Sequence, residues 1–229
     1  MAPSRGTDSS LVISYLTLRA TVGVLGILLP IVLSIGGMII FHLHLQSSLS
    51  SYYYTGMRDV LIGTLWSIGF FLFAYRGYEL EDEIAGRLAC VFAVGVSLFP
   101  TAPDCTDCLY SHFAATAHGI FAALLFLTLS YFSLVLFTKT DPTKHPTREK
   151  LQRNAVYRVC GYIMLGCIVL TPLSLYVEPF KTVLERFKPV FWLEAIAIFA
   201  FGISWFTKGE AILKDQPTWS ESQHFPRPQ

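Results

Sequence analysis

Charge is what this chain has little of. Of its 229 residues, 14% are Asp, Glu, Lys or Arg, where a soluble domain carries about a quarter. That shortage excludes an ordinary soluble bundle, whose helices need a charged, solvated face. The net charge is +1, so no basic field exists to attract nucleic acid. There is no P-loop, no Gly-x-Gly-x-x-Gly after a strand, and no soluble segment to hold a nucleotide fold. The alternating pattern of barrel strands is missing. No internal repeat stands out. No small-residue cleavage site clearly follows the first apolar run, which is also too long for a signal peptide.

What the chain does have is apolar length. Hydrophobic residues make up 53%, and mean hydropathy is +0.50. A hydrocarbon core about 30 Å thick needs roughly 20 apolar helical residues. Six runs are predicted to serve: Ala20 to Phe41, Val60 to Tyr75, Leu88 to Pro103, Phe113 to Phe137, Val159 to Val177, and Val190 to Thr207. The fold class expected is all-α, a polytopic six-span bundle. The transmembrane domain occupies 11–215, between a polar tail (1–10) and a disordered, proline-containing tail (216–229). With the N-terminus inside, 13 of the 17 Lys and Arg residues fall in inner segments and 4 in outer ones. The positive-inside bias therefore places both termini in the cytoplasm. Most of it comes from Lys139 to Arg158, which reads as an anchor or as a contact for anionic lipid. Pro30, among Gly23, Gly26, Gly36 and Gly37, marks the first span as bent and closely packed.

Five cysteines are present. Cys90, Cys160 and Cys167 fall within spans and read as packing residues. Cys105 and Cys108, in DCTDC, face the outside. A loop disulfide is the simplest reading there; free thiols, or a metal site with His112, are the alternatives.

Ionisable residues at membrane depth are costly, so each is a candidate for function. The topology brings four to one level near the outer surface: His42, Asp59, His118 and Glu194. Each also has a plainer reading, as an interface marker, a helix cap or a paired group. Glu194, in FWLEAIAIF, is the hardest to dismiss, since a carboxylate among apolar neighbours must be protonated or paired. The run SSLSSYYYTGM, from Ser47, suits an aromatic interface belt or a lid over a headgroup-sized cavity.

The segments SSYYYTGMRDVLIGTLWSIGFFLFAYRGYE, GVSLFPTAPD, AHGIFAALLFLTLSYFSLVLFTK and RNAVYRVCG resemble a group of uncharacterised bacterial multi-pass membrane proteins. They are distantly similar to the DRAM/Frag-like six-span proteins of eukaryotes. The resemblance covers roughly 47–165 and implies a helical bundle with no assigned reaction, in a bacterial inner membrane. The matching residues are Tyr54, Arg58, Asp59, Pro100, Thr101, His118, Arg153, Asn154 and Tyr157; DCTDC falls outside the pattern. A second likeness is to the membrane metal-hydrolase superfamily that includes the alkaline ceramidases. That superfamily holds zinc with three histidines, an aspartate and a serine. Here His42, His118, Asp59 and Ser51 stand near one level, but the late His-x-x-x-His pair is lacking.

The leading expectation is a membrane protein that binds or senses a lipid or small amphiphile. Its cavity would lie between the second, fourth and sixth spans, with Asp59, His118, Glu194, Tyr54 and Arg58 at its polar end. The alternatives are a zinc-dependent lipid hydrolase using His42, His118 and Asp59, and a small proton-coupled transporter. Membrane lipids are the expected partners.

Overall fold

The computed structural model describes residues 5–77, 79–105, 108–140, 147–178 and 185–209. The expected tail at 216–229 lies outside them. Among the described residues the fold is all-α. Within them seven α-helices run in the order α1 (Arg5–Ile31), α2 (Gly37–Phe41), α3 (Arg58–Ala74), α4 (Leu80–Leu98), α5 (His112–Tyr131), α6 (Arg148–Tyr176) and α7 (Pro189–Lys208). Among the described residues, four stretches are long and apolar enough to cross a membrane: Tyr15–Phe41, His112–Leu136, Arg148–Tyr176 and Pro189–Lys208. α3 has 17 residues, and α4 opens on Glu81, Asp82 and Glu83.

Local sequence explains most boundaries. Ser111 and Thr147 cap α5 and α6 through their hydroxyls, accepting from the amides of Ala114 and Lys150. Glu79 and Asp82 cap α4 reciprocally, and the acidic first turn complements its dipole. Pro189 fits the first turn of α7, where no amide is needed. α1 already runs from Arg5, inside the segment expected as a tail. α4 and α6 also begin well before their expected spans, because polar residues with good helix propensity extend the apolar core. Pro30 cannot donate a helical hydrogen bond. The chain passes into a single π-turn at Val32–Gly36, and the Ser34 hydroxyl donates to the Pro30 carbonyl at 2.7 Å.

The six long helices form a ring in chain order, closed by α1 packing on α7. That closure depends on missing side chains. A Cβ on Gly23 would lie 2.4 Å from the Phe206 amide nitrogen, and one on Gly202 would lie 2.8 Å from the Gly23 carbonyl. Only small residues permit such backbone approach. The half of the ring near the start of α4 is filled by rings: Trp205 sits against Tyr75, Phe132 and Phe137, with centroids 5.0–5.3 Å away. Beside them the hydroxyls of Ser133, in the π-turn (Phe132–Leu136) that follows α5, and Ser204, on α7, are 2.8 Å apart. Toward the opposite end α5 and α7 barely meet, and the space between them is taken by a loop and a cavity.

Candidate functional site

The loop is 43–57. α2 stops at His42, which adopts a left-handed backbone (φ 52°), and Leu43 N–H returns to the Gly37 carbonyl at 3.1 Å. The chain then folds back over the ring. Leu49 and Tyr52 are buried as plugs, so the serines between and beside them face the other helices. A 3₁₀ turn at Ser50–Tyr54 fixes their directions. Phe191 N–H donates to the Ser47 carbonyl at 3.0 Å, and Lys188 Nζ donates to the Leu45 carbonyl, tying the loop to the start of α7.

Ser50 is the hub. Its amide donates to Glu194 Oε2 at 3.1 Å, and its hydroxyl lies 3.3 Å from Glu194 Oε1. The same hydroxyl is 3.0 Å from His118 Nε2. The other ring nitrogen, Nδ1, faces the carbonyls of Phe99 at 2.7 Å and Val96 at 3.2 Å. Carbonyls only accept, so Nδ1 carries a proton. α5 and α7 thus each send one ionisable side chain to one loop hydroxyl. Glu194 also acts as a cap for the 3₁₀ turn, which by itself explains its contact with the Ser50 amide.

A second chain runs through the neighbouring serines. Ser47 Oγ donates to Asp104 Oδ1 at 2.5 Å; the hydroxyls of Ser47 and Ser51 are 3.0 Å apart, and those of Ser51 and Ser48 are 2.8 Å apart. The Ser51 amide donates to Ser48 Oγ at 2.9 Å. With Ser47 committed to the carboxylate, the hydroxyl protons run from Ser48 through Ser51 and Ser47 to Asp104.

Both chains border a cavity of about 840 Å³ between the loop and helices α5, α6 and α7. One end is polar, with Ser47, Asp104, His118 and Glu194; the other is walled by Ala122, Phe126, Cys167 and Ala197. On α5 it extends from His112 to Phe126, a rise of about 21 Å at 1.5 Å per residue. Pro172 lines it on α6. The missing proline amide leaves the Ile168 carbonyl, another lining group, without its helical donor. Ser50 does not line the cavity; its hydroxyl is turned to the two side chains behind the wall.

Of the four ionisable residues expected at one level, His118 and Glu194 share Ser50. The other two do not join them. His42 is exposed at the end of α2, and Asp59 is exposed in the first turn of α3. α3 is on the far side of the ring from α6, so the cavity lies between the fourth, fifth and sixth apolar runs and not the second, fourth and sixth. Arg58 is exposed too; its guanidinium donates to Tyr53 Oη at 2.7 Å and covers that ring at 4.3 Å. Tyr54 Oη donates to the Thr101 carbonyl at 2.5 Å. Partial desolvation, with Tyr53 beside it, pushes the phenol of this otherwise exposed residue above the ordinary range, so it remains a donor. Tyr54 therefore braces the cavity wall at Thr101, which lines it.

Among the described residues no three His, Cys, Asp or Glu side chains come together to hold a metal ion. The set of His42, Asp59 and His118 does not assemble, because two members face outward while the third is turned inward to Ser50. Cys105 and Cys108 are bridged, with Cα atoms 5.5 Å apart. Neither free thiols nor a metal site with His112 applies to sulfurs held in that bond.

The residues that sequence reasoning missed are Ser50 and Asp104. A hydroxyl run able to reach both His118 and Glu194 was visible in SSLSS, but which serine points inward depends on the plugs Leu49 and Tyr52. A hydroxyl 3.0 Å from an imidazole is the pairing that activates serine nucleophiles. Here, though, the carboxylate holds the serine and not the imidazole, and the hydroxyl is walled off from the cavity. The geometry suits holding a polar group beside the wall better than attacking one. No family model, curated protein or solved structure matches the chain.

Proposed function

We propose that this chain is a six-span integral membrane protein, both termini cytoplasmic, that binds or senses a lipid or small amphiphile in a cavity facing the outer leaflet. The single observation that carries this is the gradient along the cavity, from Ser47, Asp104, His118 and Glu194 to Ala122, Phe126 and Ala197. A polar head and an apolar tail match those two ends, and pockets for small ligands are commonly apolar with a few placed polar groups. α3, with its 17 residues, and the part of α4 that follows its acidic first turn (84–98) serve as the remaining two spans; they rise about 25 and 22 Å, which suits a thin or locally thinned hydrocarbon core. The charge bias supplies the direction, and the resemblance to bacterial multi-pass membrane proteins supports a bacterial plasma membrane.

The test uses a wall position with room. A Cβ on Gly119 would meet nothing within 4 Å, and Gly119 lines the cavity. Gly119→Trp is expected to fold and to lose co-purifying lipid, as read by native mass spectrometry. Unchanged lipid occupancy in the folded variant would remove the cavity as the binding site. Reporter fusions at each loop check the six-span topology separately.

A further inference from the structure

Hydrogen-bond counting at Ser50 gives more than a place for a headgroup. Nδ1 of His118 is committed to two carbonyls, so the neutral ring offers Nε2 only as an acceptor. Glu194 Oε1, when ionised, is also only an acceptor. Between them stands one hydroxyl with one proton, 3.0 Å from the first and 3.3 Å from the second. That proton cannot serve both. Full satisfaction needs one further proton. It can sit on Glu194, which then donates to Ser50 while Ser50 donates to His118. Or it can sit on His118, which then donates to Ser50 while Ser50 donates to Glu194. Both arrangements leave the trio neutral. Without that proton the trio carries one negative charge, and an acceptor faces an oxygen lone pair inside the wall, which is costly.

We infer that Glu194, Ser50 and His118 form a proton-exchange site, and that the cavity takes a cationic amphiphile whose charged head replaces the shared proton. The proton leaves to water as the ligand's fixed charge takes its place beside the Glu194 carboxylate, so total charge in the site is conserved. The other titratable groups lining the cavity are Asp104, Tyr110, His112, Cys167, Tyr176 and Lys188. Asp104 adds a second acid at the polar end, while the one lysine head is turned away to the Leu45 carbonyl. The balance at the polar end favours a cation over an anion. This assignment rests on the cavity being the ligand site.

The test keeps those two ideas apart by using two probes on the full-length protein in amphipol: decyltrimethylammonium, charged at every pH, and neutral decanol. We expect ammonium affinity to rise about tenfold per pH unit while the site titrates, the linkage for one exchanged proton. A pH indicator in weak buffer should register about one proton released per ammonium bound. Glu194→Gln should abolish slope and release, while a retained cooperative thermal transition shows that the variant folds. Asp104→Asn, at an exposed position, should keep the slope. Decanol binding with ammonium binding that is independent of pH and releases no proton overturns the exchange site but leaves the cavity reading standing. So does a slope that disappears in Asp104→Asn. If neither probe binds, the cavity reading fails and takes this inference with it.

Discussion

The two ends of the bundle solve the same problem in opposite ways. At the end bearing the 43–57 loop, polar groups pair with one another through serine hydroxyls beside a cavity. At the other end, cations are laid on aromatic rings with little space left. Arg19 is buried, its guanidinium 4.3 Å from the Tyr15 ring centroid and 5.3 Å from that of Tyr75. Lys208 Nζ is 5.0 Å from the Phe137 centroid, and Lys150 Nζ donates to the Phe137 carbonyl at 2.9 Å. Arg153 and Asn154 are buried among them. The difference is instructive. Aromatic packing fixes one geometry and closes the ring, which suits a foundation. Hydroxyl networks beside a cavity tolerate a change of partner, which suits a site. Part of the basic segment that reads as a lipid-facing anchor is turned into the protein at Arg153 and Asn154.

Removing the foundation should cost most. Trp205→Ala deletes the ring that Tyr75, Phe132 and Phe137 surround, and we expect a loss of about 3–5 kcal/mol in thermal unfolding of the reconstituted protein. Both ends should melt together if the ring is one cooperative unit. Selective loss of the Trp205 end, with hydrogen exchange at Ser50 still slow, would show that the two regions are independent.

Glu194→Leu should cost less, about 1–3 kcal/mol, because the Ser50 amide and hydroxyl lose an acceptor while the apolar ring survives. Its signature is local: faster hydrogen exchange at Ser50 and Ser51 with unchanged exchange near Trp205. Equal loosening at both ends would contradict the contrast drawn between them.

How far the sequence foretells this division depends on what each feature is made of. Apolar length is local, so α1, α5, α6 and α7 are legible as long membrane-grade helices, and the caps at Ser111 and Thr147 are legible at their termini. Depth is also local, once a direction is assumed, which is how His118 and Glu194 are brought to one level. Rotation about each helix axis is not local. Asp59 shares their level yet faces outward, because α3 presents Leu61, Leu65 and Ile68 to the core and that face excludes residue 59. Ser50 and Asp104 lie in loops whose paths are set by buried plugs and by tertiary hydrogen bonds, for which no periodicity exists to read. The ring's closure through Gly23 and Gly202 depends on knowing that α1 and α7 are neighbours.

Arg19→Met tests whether the ring-packed cations stabilise the foundation at all. The guanidinium's attraction to Tyr15 and Tyr75 is worth about 1 kcal/mol, but its buried Nε has no hydrogen-bond partner among the described residues, and the desolvation of a buried charge offsets the attraction. We expect stability to change by no more than about 1 kcal/mol, and thermal unfolding decides it. A loss several times larger would mean that the cation organises the rings, in which case the two ends are less different than their geometry suggests.

The smallest effect belongs to the rim, where Lys139 bridges Glu79 at 2.5 Å and Glu81 at 2.9 Å. Hydrogen bonding to Lys139, together with its charge, holds the Glu81 carboxyl below its ordinary range, and hydrogen bonds to Glu79 and Glu81 raise the Lys139 ammonium. A lowered carboxylate stabilises the fold above its ordinary titration range and loses that contribution as pH falls through its lowered value. A raised ammonium keeps its contribution up to its ordinary range and loses it only as pH climbs to the raised value. The bridge therefore contributes fully at neutral pH and is lost first on the acid side. Lys139→Met should lower the neutral melting temperature slightly and flatten the acid limb of its pH profile, while leaving hydrogen exchange at Ser50, at the opposite end, unchanged. A variant whose acid limb matches the parent's would show that solvent screening already cancels the bridge, leaving the rings alone to hold that end.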